Sequence, residues 1–160
     1  MRRLSSIAIV AVVFALASTV KAEDDHDKST VGTWKLNLAK SKTEAWSPKS
    51  QTRVYEDWGC GLSHARFEGT DAQGNPTLVI YVSRYDGKEY PYLLRGAQAA
   101  NTQTLTPVDG RTIAFHVRAD GKTTYTGTRT TAADGKSFTL TYKTNNKGEP
   151  SSAVHVYEKQ

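Results

Sequence analysis

The chain carries a single cysteine, Cys60, in 160 residues. An internal disulfide is thereby excluded, and so is any small fold that depends on one. Beyond residue 22 it has no long apolar run, so no later segment reads as a membrane-spanning helix. Charge of one sign is also scarce. Lys and Arg number 21 against 16 Asp and Glu, a formal charge of +5, and these residues are interspersed rather than gathered into the basic stripe that nucleic acid requires. There is no Gly-x-Ser-x-Gly, no Cys/His set at metal-ligand spacing and no glycine-rich phosphate loop. The expectation is a protein without a cofactor or a metal, and with no nucleic-acid partner.

What is present begins with an export pattern. Arg2 and Arg3 precede an apolar stretch from Ile7 to Ala17, and Val20-Lys21-Ala22 places small residues where a signal peptidase cuts. Residues 1–22 therefore read as a signal peptide, with the mature chain starting at Glu23 and no lipid anchor, since no cysteine follows the cut. Removal of these residues takes away Arg2, Arg3 and Lys21 and no acid, so the charge falls from +5 to +2. The predicted location is outside the cytoplasm, periplasmic or extracellular, and the predicted state is a monomer. Residues 23–31 read as a flexible lead-in. Their acids and His26 could hold a divalent ion loosely but lack fixed geometry.

From Gly32 to the end, turn signals recur: Asp71-Ala-Gln-Gly74, Asp86-Gly87, Asp109-Gly110, Asp120-Gly121, Asp134-Gly135 and Asn145-Asn-Lys-Gly148. Asp and Asn followed by Gly tolerate the positive φ of tight hairpins, and the residues between them alternate apolar with polar. The pattern predicts a strand from Thr33 and others over 51–57, 62–69, 77–85, 102–108, 111–119, 123–131, 137–144 and 152–159, with 88–94 as a further candidate. Residues 39–49 read as a loop or one helical turn covering a barrel mouth. Trp58-Gly-Cys-Gly61 reads as a bulge or tight bend that Cys60 fills. A meander this long leaves costly unpaired edges unless its ends meet, so the fold class is all-β, an antiparallel up-and-down barrel of about 8–10 strands in one domain spanning 32–160.

Gly32-Thr-Trp-Lys-Leu36 resembles the Gly-x-Trp opening of lipocalins and the similar opening of fatty-acid-binding proteins, and Val156-Tyr-Glu-Lys159 resembles the terminal strand of the latter. The run from Gly32 to Lys42, with Tyr85-Asp-Gly-Lys-Glu-Tyr-Pro91 and the Val-Tyr-Glu-Lys ending, is similar to small exported bacterial lipocalin-like proteins of uncharacterised function. The resemblance implies a calycin-like barrel holding a small molecule. Fatty-acid-binding proteins hold a ligand carboxylate with an Arg-x-Tyr pair on the last strand, and the matching positions here are His155 and Tyr157. A neutral imidazole in place of arginine implies anion binding that weakens as pH rises through the His pKa.

Strand parity then proposes a site. If Trp34 and Tyr157 look inward, His155 shares their face by period two, and Phe138 and Tyr142 form the inward face of the preceding strand. On the strand before, Tyr125 and Arg129 oppose a row of threonines, which places Arg129 inward, with a barrel-rim position as the alternative. His155, Tyr157, Arg129, Tyr125, Tyr142 and Phe138 are the candidate ligand-binding residues. No residue is assigned a catalytic role. Ser63 and His64 are adjacent and so face opposite sides of a strand, which spoils a nucleophile-base pair. The functional expectation is an exported, non-catalytic barrel for an apolar or amphipathic molecule. The alternatives are a solid-cored envelope structural or protein-interaction module, and a hydrolase or isomerase using His155.

Overall fold

The computed structural model describes residues 29–160 apart from 99, 147 and 148. The proposed signal peptide and the acidic cluster at 23–27 lie outside the described residues. Ten strands follow one another: β1 (Gly32–Lys42), β2 (Ser50–Asp57), β3 (Ser63–Thr70), β4 (Pro76–Ser83), β5 (Glu89–Leu94), β6 (Asn101–Asp109), β7 (Thr112–Ala119), β8 (Lys122–Thr131), β9 (Ser137–Asn146) and β10 (Glu149–Lys159). Each pairs antiparallel with its neighbour in sequence, and β1 closes onto β10 to complete the barrel. Closure gives every strand a partner on both sides, the physical reason a long meander is stable as a tube.

The aspartates of the turn signals do the work expected of them. The Asp71 carboxylate accepts the backbone N–H groups of Gln73 and Asn75, and Asp86, Asp109 and Asp134 each accept the N–H two residues on. Each carboxylate thus satisfies a turn N–H that the strand ladders cannot reach. The β2–β3 turn is built by three consecutive left-handed residues, Gly59, Cys60 and Gly61. Cys60 is exposed at its tip, so it fills no space there, in contrast to the expected packing role.

No helical turn forms in residues 39–49. β1 instead continues to Lys42 across an irregularity between Asn37 and Lys42. Ser41 makes this possible, since its hydroxyl donates to the Asn37 carbonyl at 2.7 Å and accepts the Val156 N–H at 2.9 Å, replacing two ladder bonds. Only residues 43–49 are left to cross the end of the barrel.

Trp34 and Tyr157 are both inward and wholly buried. Phe138 stacks between them, 4.8 Å from each ring centroid. The Trp34 indole N–H donates to the Thr30 carbonyl at 2.7 Å, so the polar atom of this plug is satisfied. These three rings form a solid floor. At Gly127 a side chain is excluded because a Cβ would sit 1.9 Å from the Thr141 carbonyl oxygen and 2.7 Å from the Phe115 ring. That gap in the Tyr125, Gly127, Arg129 row lets Phe115 reach across β8 toward Tyr142, 5.4 Å away.

Candidate functional site: a lumen with two buried guanidiniums

Strand alternation brings the β1–β2, β3–β4, β5–β6, β7–β8 and β9–β10 connections to one end of the barrel, opposite the Trp34 floor. A cavity of about 290 Å³ occupies the half of the lumen beneath that end. Its wall is mostly apolar, with Phe67, Tyr81, Phe115 and Leu105 among the lining residues, and Trp46 and Pro48 come in from the β1–β2 connection. A packed floor below a hollow upper half is therefore the arrangement.

Trp46 lies over the cavity with its ring 5.8 Å from Tyr125 and 6.0 Å from both Tyr142 and His155. Two hydrogen bonds tie this cover to β10: Trp46 Nε1 donates to Ser151 Oγ at 2.7 Å, and Ser47 Oγ lies 2.9 Å from His155 Nε2. The Ser47 oxygen also accepts the Glu44 N–H at 2.9 Å, leaving its own proton for the imidazole.

The polar centre of the lumen is arginine. Arg53 on β2 is buried; its Nε donates to Gln51 Oε1 at 2.8 Å, Nη2 to the Tyr142 hydroxyl at 2.6 Å and Nη1 to the Tyr55 hydroxyl at 3.4 Å. The faces of its guanidinium lie 4.1 Å from the Phe67 ring centre and 4.8 Å from that of Tyr157. Arg129 on β8 is 4% exposed, lies over Tyr55 at 4.8 Å and donates to the Tyr85 hydroxyl at 3.0 Å. Its Nε has no hydrogen-bond partner among the described residues. Neither guanidinium meets a carboxylate: the described ion pairs, Lys40 with Glu158 and Arg118 with Glu89 among them, are elsewhere. Two cations are thus held out of water by rings and neutral oxygens, an arrangement that costs free energy.

Tyr55 stands between them. Burial pushes its phenol up, but the flanking charges of Arg53 and Arg129 outweigh this and hold it below the ordinary phenol range. The Tyr157 phenol, donating to Gln51 Oε1 at 2.6 Å, is instead pushed well up by burial.

Of the residues the sequence nominates, His155, Arg129, Tyr125 and Tyr142 line the cavity, whereas Phe138 and Tyr157 belong to the floor and its support. Arg129 is inward, not at the rim. Arg53, Gln51 and Trp46 escaped sequence reading. The available signal for the first two was that Gln51, Arg53 and Tyr55 share one strand face.

His155 differs from its expected part. Burial first, and the Arg53 charge second, lower its pKa to about 4, so it is neutral through the physiological range and cannot be the anion-binding cation. The Ser47–His155 contact latches the β1–β2 connection to β10. An unfolded histidine takes up its proton near pH 6.5. The folded protein does so only near pH 4, so this residue removes stability as pH falls between those values and none further below. His155→Gln, which can keep the Ser47 contact, is expected to lessen the acid loss by about 1–2 kcal/mol after allowance for solvent screening. Urea midpoints of the two proteins compared at about pH 7 and about pH 4.5 check this.

No family model and no curated protein matches the chain. Among solved structures, wild-type fluorescent protein UnaG superposes with a TM-score of 0.59 at 16% sequence identity, covering 83% of this chain and 98% of that one. A single-site variant of UnaG gives 0.57 at 17% identity, over 82% of this chain and 96% of the other. The chain shares the ten-stranded antiparallel barrel fold of these proteins. This barrel departs from the arginine arrangement that the resemblance implies on the last strand: β10 offers His155 and Tyr157, and the cations come from β2 and β8. The Arg53 guanidinium nevertheless lies 4.8 Å from the Tyr157 ring centre, so a guanidinium and that tyrosine meet from different strands.

Proposed function

We propose that this protein is an exported, non-catalytic carrier that binds one small amphipathic molecule in its lumen, with an anionic head on Arg53 and Arg129 and an apolar body against the aromatic wall. The observation that carries the reading is the pair of buried guanidiniums, free of any carboxylate among the described residues, at the edge of an apolar cavity of about 290 Å³. A carboxylate entering beside them supplies the missing counter-charge and meets charge-assisted hydrogen-bond donors where water is excluded. The ring faces stacked on each guanidinium direct an acid to its N–H edge, and the Arg129 Nε there has no partner among the described residues, which suits the planar oxygens of an acid. The wall adds burial: a ligand hiding about 300 Å² of apolar surface gains roughly 7 kcal/mol before ordering costs. The fold shared with UnaG supports a ligand-holding lumen, and the signal pattern of residues 1–22 supports export.

Isothermal titration with dodecanoate and dodecanol tests the binding reading. The expected result is saturable one-to-one binding of the acid, at least about tenfold tighter than the alcohol. Equal affinities, or no saturable heat with the acid, overturn it. Intact mass of the protein taken from its own host is expected to place the N-terminus at Glu23.

A further inference from the structure

β5 changes partners half-way. Glu89, Tyr90 and Pro91 pair with β6, and then Tyr92, Leu93 and Leu94 pair with β4 alone. Pro91 has no N–H to give, and beyond it the β5–β6 ladder stops. The parted strands leave a groove at the mouth end, bounded by Tyr92, Leu94, Tyr125, Thr144 and the β7–β8 turn with Lys122. Tyr92, Leu94 and Tyr125 also line the main cavity, so the two spaces share a wall.

Tyr92 and Tyr125 are half-buried and their hydroxyls are not among the buried polar atoms, so they stand accessible at the groove; partial burial raises both phenols, and Tyr125 raises Tyr92 further. Elsewhere in the lumen the phenols of Tyr55, Tyr142 and Tyr157 are all engaged with Arg53 or Gln51. Lys122 on the groove's outer side adds an ammonium that makes no ion pair among the described residues. Two phenols and one ammonium thus line the same groove, where the β5–β6 ladder has stopped.

We propose that this groove is a second polar subsite, and that the ligand is two-headed: one acid on Arg53 and Arg129, and a second anionic or carbonyl-bearing end on Tyr92, Tyr125 and Lys122. The proposal rests on the anion-binding reading above and adds to it the chemical class of the ligand. A simple fatty acid brings only its apolar terminus to these donors, whereas a second acid end can accept from both phenols and pair with the ammonium.

The test is titration of the full mature protein with a series of α,ω-dicarboxylates, octanedioate to tetradecanedioate, against the monocarboxylates of equal length. At the length that spans both subsites, the diacid is expected to bind at least about tenfold tighter than the monoacid. That ratio is expected to fall toward one in Tyr92→Phe/Tyr125→Phe and several-fold in Lys122→Met. A ratio near one at every length in the unaltered protein overturns the second subsite while leaving the first intact. A ratio that survives both variants overturns it too, and binding of neither acid overturns the anion-binding reading along with it.

Discussion

Arg129→Met is expected to stabilise the ligand-free protein while removing its preference for acids over alcohols. The guanidinium is 4% exposed, donates to the Tyr85 hydroxyl, and leaves its Nε without a partner among the described residues. A buried cation in that state has lost its hydration and recovered little of it, and the rings of Tyr55 and Tyr85 return only the modest attraction of cation–π contact. Methionine fills most of the same volume with no charge to desolvate. The expected gain is about 1–3 kcal/mol, a rise of a few degrees in melting temperature for a domain of this size. Acid affinity is expected to drop by at least about tenfold with alcohol affinity little changed. Calorimetry of the two proteins, each titrated with dodecanoate and dodecanol, reads both quantities. A less stable variant that still prefers the acid would show that the guanidinium is structural. The same trade-off, stability given up to hold a binding group in place, is common at functional sites.

Trp34→Ala is expected to cost about 3–5 kcal/mol, the largest loss from any single truncation in the barrel. The indole is wholly buried, packs on Phe138 at 4.8 Å, and donates to Thr30, with Lys159 Nζ lying 5.3 Å from the ring centre. Its removal leaves a void the closed sheet cannot collapse into, because β1 is pinned by β2 on one side and β10 on the other. It also leaves the Thr30 carbonyl without its donor. Urea denaturation measures the loss, and a cost below about 1 kcal/mol would mean that the floor is not where the barrel's stability is concentrated. Because Trp34 does not line the cavity, acid affinity measured well below the melting temperature is expected to survive the change.

The legibility of these residues in the chain differs for a physical reason. Trp34, Tyr157 and Phe138 stand in alternating runs whose opposite faces are polar, so period two sufficed to turn them inward, and the structure buries all three. For Phe138 and Tyr157 the position along the tube was not readable. Parity says inside or outside but not floor or cavity, and these two, nominated as ligand contacts, do not line the cavity. Arg129 was legible as inward because the threonine row behind it is an ordinary wet face. Arg53 was not, since β2 places Gln51, Arg53 and Tyr55 on one face and Thr52, Val54 and Glu56 on the other, and neither is clearly apolar. Only its pairing opposite Trp34 decides the matter. Trp46 sits in a stretch without periodicity, and nothing local indicates that its ring folds back over Tyr125 and Tyr142.

Local chemistry along the chain determined the class, the number of strands and their turns. Asp-Gly pairs select hairpins through backbone φ and side-chain capping, and alternation selects strands, both effects acting within a few residues. The depth of each inward side chain, the partner each guanidinium meets and the parting of β5 from β6 were decided by tertiary structure alone. They depend on the stagger of ten strands around a closed tube, a quantity to which every strand contributes and which none encodes by itself.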